Sequence, residues 1–148
     1  MWQPGWEGSL GENGYMYIGN HLSSASGFEK MGQEALKLGA NTFAFFTRNP
    51  RGGAAKEINP DDAMKLRRLM DEHHFGRLVA HAPYTMNVCA EKENVKSFSR
   101  RVLAEDLDRM DYLPGNYYNF HPGSHVGQGV DAAIPMIADA INCALRPE

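Results

Sequence analysis

The sequence predicts an α/β fold built from four strand–helix units in chain order. Two observations carry that expectation. Short apolar or aromatic runs recur at residues 15–19, 42–46, 77–80 and 117–120, each reading as a strand. Between and after them lie four stretches whose apolar residues repeat at steps of three and four, the helical spacing. Strands separated by helices imply a parallel sheet with right-handed crossovers. Four such units suit either a small open sheet or half of an eight-unit barrel.

The helices follow in order. The first carries Phe28, Met31, Ala35 and Leu38, and Gly39 stands where a C-terminal cap belongs. The second carries Leu66, Leu69, Met70 and His73 and is opened by Asn59-Pro60-Asp61-Asp62, a strong start signal. The third spans residues 91–112, with Val95, Phe98, Val102 and Met110 as its expected buried stripe and Pro114-Gly115 beyond it. The fourth has Ile134, Ile137, Ile141 and Leu145 as its expected core face. Residues 1–14, rich in glycine and without apolar periodicity, read as a flexible extension, and Met16 is a candidate natural start.

Composition narrows the class. The chain has 148 residues, 43% hydrophobic and 22% charged, the mix of one folded domain. A formal net charge of -3 argues against a histone-like or arm-type nucleic-acid binder, yet leaves room for a groove that concentrates basic groups. Cys89 and Cys143 form no C-x-x-C unit, so a zinc ribbon or redox dithiol is not expected; they read as reduced, partly buried thiols. The longest apolar stretch, near residues 43–46, is far short of the roughly 20 residues of a membrane span. With no signal-peptide pattern at the N-terminus, a cytoplasmic protein with no membrane partner is expected.

The polar residues that matter stand at strand ends. His21, Arg48, His81 and His121 each fall within a residue or two of the C-terminal end of a predicted strand. In α/β folds that face holds ligands, because variable loops there are mounted on a rigid scaffold. His81 and His121 come from the third and fourth strands, and imidazoles on neighbouring strands can converge on one zinc ion. The alternative is that each caps a strand through a backbone hydrogen bond. His73 and His74, at the end of the second helix, read as partners of the helix dipole. His121 and His125 have the i, i+4 spacing of a zinc helix, but Pro122-Gly123 between them excludes a helix there. The basic loop Thr47-Arg48-Asn49-Pro50-Arg51-Gly52-Gly53 suits phosphate contact or plain solvation; it is no P-loop, since no G-K-[ST] follows.

Four strings, taken together, carry a resemblance. They are Ile18-Gly19-Asn20-His21-Leu22-Ser23-Ser24, Phe45-Phe46-Thr47-Arg48-Asn49-Pro50-Arg51, His81-Ala82-Pro83-Tyr84 and Asn119-Phe120-His121-Pro122-Gly123-Ser124-His125. In that order, on those strand ends, the chain resembles the endonuclease IV family from about residue 16 to residue 145. The resemblance implies that residues 15–148 are the N-terminal half, (βα)4, of a TIM-type (β/α)8 barrel. It implies three Zn2+ ions per complete site and hydrolysis of the phosphodiester 5′ to an abasic site in double-stranded DNA, as base excision repair requires. It further implies that His81 and His121 bind one zinc, and that Arg51 and Tyr84 belong to loops that enter the DNA. Thr85 follows Tyr84 where the family often has a bulky apolar residue.

The family's remaining ligands come from later strands, beyond Glu148. Two histidines cannot hold three zinc ions, and a catalytic zinc normally takes three protein ligands. No complete catalytic set is therefore expected in this chain, and little or no activity from it alone. Half a barrel also leaves two sheet edges open, so self-association or pairing with a separate C-terminal half is expected. The competing readings are a sugar isomerase of the same barrel type and a half-barrel that binds zinc or DNA without cutting.

Overall fold

A computed structural model describes residues 16–51 and 53–145. The expected extension over residues 1–14, Tyr15 of the first predicted strand and Gly52 of the basic loop lie outside the described residues. Strands β1 (Gly19–Leu22), β2 (Thr42–Phe46), β3 (Val79–His81) and β4 (Tyr117–Asn119) form one sheet in the order β1-β2-β3-β4. Every neighbouring pair is parallel. Helices α1 (Phe28–Lys37), α2 (Pro60–Glu72), α3 (Glu93–Met110) and α4 (Val130–Ala144) follow the strands in turn, as the alternating pattern predicts.

The helix ends follow their local chemistry. Asn59 caps α2, its side-chain oxygen accepting from the Asp61 amide at 2.9 Å, with Pro60 at the first helical position. Asp62 then reaches across to cap α1, accepting from the Phe28 and Glu29 amides at 2.6 and 3.1 Å. At the end of α1, the Gly39 and Ala40 amides return to the carbonyls of Leu36 and Ala35, a Schellman closure. His73 and His74 are exposed at the C-terminal end of α2, in keeping with a dipole role.

Side chains alternate across the sheet. On β2, Phe43 and Phe45 are buried against the helices with Met31, Ala35, Leu66, Leu78 and Ala80. A second cluster, built from Ala82, Met86, Val88, Val102, Leu103, Ala140 and Ala144, lies under α3 and α4. The opposite face, where Ala44, Phe46, Val79, His81, Tyr117 and Asn119 stand in register, is only partly covered; Tyr117 is 52% exposed. Within the described residues, β1 and β4 each have one unpaired edge.

Four expectations need correction. The first strand runs over Gly19–Leu22 rather than residues 15–19. Tyr17 instead packs on Gly76, and Ile18 is anchored to Asn41 before pairing with β2 begins at Gly19, which has no room for a side chain: a Cβ there would meet the Thr42 carbonyl. The fully buried positions of α4 are Ala133, Ala140 and Ala144; of the expected face, Ile137 packs against the core and Ile141 is half-buried, while Ile134 and Leu145 are exposed. The buried stripe of α3 is Ser99, Val102, Leu103 and Asp106, with Val95, Phe98 and Met110 half-buried at its margin. Cys89 is buried, but Cys143 is exposed; both are free thiols.

Candidate metal and nucleic-acid site

Parallel register sets the site. Phe46 pairs with His81 and His81 with Asn119, so these three side chains share the open face at the C-terminal end of the sheet. His121 lies two residues beyond Asn119, the spacing that returns an extended chain to the same face. The ring centres of His81 and His121 are 5.4 Å apart. A ring nitrogen at 2.0–2.1 Å from zinc puts its ring centre about 3.2 Å from the ion, so two imidazoles at a tetrahedral angle stand about 5.2 Å apart. The observed separation fits one shared ion.

His21 reaches the same neighbourhood but fits differently. Its ring centre is 6.5 Å from that of His81, and Phe46 contacts both rings, at 4.5 and 5.1 Å. Two imidazoles at the tetrahedral angle stand only about 5.2 Å apart, so at 6.5 Å His21 and His81 do not fit one tetrahedral ion. Burial lowers the His21 pKa, the nearby His81 lowers it further, and a backbone hydrogen bond at Leu22 partly offsets both. Among the described residues, no group of three or more His, Cys, Asp or Glu is placed to hold a metal ion.

The second nitrogen of His81 is already committed. Its Nδ1 lies 2.6 Å from the Ala82 carbonyl oxygen, which can only accept, so Nδ1 carries the proton. In the neutral ring Nε2 then keeps its lone pair, the arrangement that orients a ligating histidine. His125 is committed otherwise: its Nδ1 accepts from the Gly127 and Gly129 amides at 3.2 and 3.3 Å, which shapes its own turn. Residues 120–129 form no helix, so the i, i+4 spacing of His121 and His125 has no metal meaning.

Tyr84 stands over this cluster. Tyr84, 62% exposed, lies 5.4 Å from His81, 5.9 Å from His121 and 5.3 Å from Phe46, ring centre to ring centre. Arg51 is exposed on the loop after β2, and its amide donates to Asn49 Oδ1 at 2.9 Å. The loop after β3 is also tied to the loop after β4: Asn87 Nδ2 donates to the Ser124 carbonyl at 2.9 Å, and Gln128 Nε2 to that of Cys89 at 3.0 Å. Gly123 permits that closeness, since a Cβ there would fall 2.0 Å from Asn87 Oδ1.

Arg48, the fourth polar residue at a strand end, turns away. It is buried and donates through Nε and Nη2 to Asp106 Oδ1, at 3.0 and 2.5 Å, and through Nη1 to Glu105 at 3.1 Å. Burial works against its charge, but Asp106 and Glu105 outweigh it and raise its pKa. Asp106 also accepts from Thr47 Oγ1 at 2.6 Å and Tyr118 Oη at 3.1 Å. Sequence reasoning missed Asp106 and Phe46. The signal for Asp106 was a lone acid in the i, i+3, i+4, i+7 stripe of α3.

Residues 33–146 match the family model described as xylose isomerase-like TIM barrel. The chain belongs to that family. Within the xylose isomerase-like TIM barrel family, its curated relatives include proteins named probable endonuclease 4. That of Akkermansia muciniphila is 56% identical over 132 residues, covering 89% of this chain and 48% of the relative. That of Clostridium beijerinckii is 50% identical over 131 residues, covering 88% and 47%. The chain thus spans about half the length of the curated relatives it matches. Among solved structures, endonuclease IV from Thermus thermophilus superposes with a TM-score of 0.76 at 29% identity, over 88% of this chain and 48% of that one. A D-psicose 3-epimerase superposes at 0.55 with 13% identity, a likeness of fold alone. The four βα units are therefore half of a TIM-type barrel, and the sequence relationship runs to endonuclease IV.

Described residues include no helix long and apolar enough to cross a membrane.

Proposed function

We propose that this chain supplies the first half of a zinc-dependent abasic-site DNA endonuclease, which hydrolyses the phosphodiester 5′ to the lesion. The observation that carries the reading is the 5.4 Å separation of the His81 and His121 rings beneath the exposed ring of Tyr84. His81 and His121 are proposed as two ligands of one zinc ion, with Nε2 of His81 ligating because Nδ1 is bonded to Ala82. When bound, zinc lowers the pKa of a coordinated water and polarises the phosphodiester. Arg51 pairs its guanidinium with a DNA phosphate, and Tyr84 fills the space beside the turned-out nucleotide.

Two ligands are one short of a catalytic zinc site, so the remaining protein ligands are proposed to come from a further set of strands that completes the barrel. The open edges of β1 and β4, and the exposed α4 stripe of Val130, Ile134 and Leu145, are proposed as the surfaces that set covers. The 148-residue chain alone then binds zinc weakly and leaves abasic DNA intact.

The test is cleavage of an abasic duplex by the purified chain with Zn2+, alone and with the second half of the Akkermansia muciniphila relative. Cleavage only in the mixture, lost in His81→Ala, supports the proposal. Strong cleavage by the chain alone contradicts the shortage of ligands. Binding without cleavage in either arm favours a half-barrel that holds zinc or DNA without cutting.

A further inference from the structure

We infer that Asp106 is a positioning residue that fixes the spacing of the His81–His121 pair and the root of the Arg51 loop; the inference rests on the zinc reading of that pair. Asp106 sits on α3 with no exposure to solvent, and its two oxygens receive four hydrogen bonds, three from the segment just past β2 and one from β4. Thr47 and Arg48 are the first two residues past β2, four and three positions ahead of Arg51. Tyr118 is the middle residue of β4, three positions ahead of His121.

Strand β3, which carries His81, lies between β2 and β4. One carboxylate therefore holds the strands on either side of His81. Thr47 closes the link, since its amide donates to the His81 carbonyl at 3.1 Å. Among the described residues, no buried side-chain polar atom lacks a partner, so the network is complete as it stands.

A purely stabilising ion pair makes a different prediction from a positioning one. Arg48 and Asp106 alone would serve stability; the arms from Thr47 and Tyr118 add nothing to the neutralisation of Arg48. They do bring the ends of β2 and β4 to one point. Groups that orient metal ligands without touching the metal typically alter affinity 10- to 100-fold when lost.

The experiment compares the full chain with Asp106→Asn, with the double variant Thr47→Val/Tyr118→Phe, which keeps the Arg48–Asp106 pair, and with His81→Ala. Leu66→Ala, in the core on the side of α2, serves as a control for general destabilisation. Zn2+ affinity is read by competition with a chromophoric chelator, and ring proximity by nuclear Overhauser contacts between His81 and His121 in the metal-free chain. Both Asp106-network variants are expected to bind Zn2+ at least about 10-fold more weakly and to lose the ring contact. Leu66→Ala is expected to lower the melting temperature and change neither readout.

Folded network variants with unchanged Zn2+ affinity and an intact ring contact overturn the inference, even while His81→Ala abolishes binding and so upholds the zinc reading. If His81→Ala leaves Zn2+ binding untouched, the zinc reading falls instead, and the ring contact alone decides the role of Asp106: its loss in the variants supports positioning, its retention refutes it.

Discussion

The backbone amide of Tyr84 donates to the carbonyl of Pro50 at 3.0 Å, so the loop after β3 and the loop after β2 are joined at the root of both exposed side chains. Arg51 follows Pro50 directly. A duplex lying on Tyr84 would meet the two joined loops as one unit, with the histidine pair beneath Tyr84.

That pairing separates two kinds of binding loss. Arg51→Ala removes one phosphate contact, so affinity for an abasic duplex should fall about equally for all sequences, and the salt dependence of log K should flatten by about one unit of slope. Tyr84→Ala removes a stacking surface, expected to weaken binding by about 1–3 kcal/mol with the salt slope preserved. Fluorescence anisotropy across a salt series checks both. An unchanged slope in Arg51→Ala would remove Arg51 from the interface.

Zinc binding should sort the histidines by geometry. His81→Ala or His121→Ala is expected to abolish the Zn2+ site measured by chelator competition. His21→Ala, whose ring is 6.5 Å from that of His81, and His125→Ala, whose Nδ1 serves its own turn, should leave affinity within a few-fold of the parent. Equal losses across all four would mean that the pair identified here is the wrong one.

The sorting also marks what the sequence could and could not reveal. Strand β2 was legible to the residue, because Thr42–Phe46 is an unbroken run with Phe43 and Phe45 buried on one side. Strand β1 was not, because its true residues Gly19, Asn20 and His21 favour strands weakly while Tyr17 and Ile18 just before them give the stronger signal. In α4 the rule that large apolar residues are buried held only in part, since Ala133, Ala140 and Ala144 are fully buried while Ile134 is in solvent. The placement of His81 and His121 at strand ends was legible in the sequence. Separating Arg48 from them was not, because its partner Asp106 lies 58 residues away.

Breaking the Arg48–Asp106 pair should be costly. Both side chains are almost wholly inaccessible, 2% and 0% exposed, so Asp106→Ala leaves a buried guanidinium without its principal partner. Such losses are typically about 3–5 kcal/mol, readable as a shift in the urea midpoint. A loss below about 1 kcal/mol would show that water reaches Arg48 freely.

Tyr118 gives this network a pH signature. Burial raises its phenol pKa, and the charge of Asp106 and the hydrogen bond to it raise it further. The folded state therefore holds the proton more tightly than the unfolded chain, whose tyrosines ionise near about pH 10. The stabilisation is fully present below that value and is lost as pH rises through and above it. Absorbance at the phenolate band should show Tyr118 ionising only together with unfolding, and Tyr118→Phe should remove this part of the alkaline dependence. Ionisation of Tyr118 in the folded chain near pH 10 would contradict the buried hydrogen bond.

The open sheet edges make the last prediction. Among the described residues, strands β1 and β4 each present unpaired backbone on one side, and Tyr117, at 52% exposure, stands on the uncovered face. Unpaired edges beside exposed apolar surface favour association with another sheet. Val130, Ile134 and Leu145 of α4 add further exposed apolar surface. Size-exclusion chromatography with light scattering should therefore find the isolated chain self-associating, and the second half of a curated relative should convert it to a defined one-to-one complex. Ile134→Glu together with Val130→Lys should weaken that complex and leave the fold of the chain intact by circular dichroism, because both side chains are already in solvent. A stable monomer that ignores the added half would show that the edges are closed by some other means, and the barrel-completion proposal would fall with them.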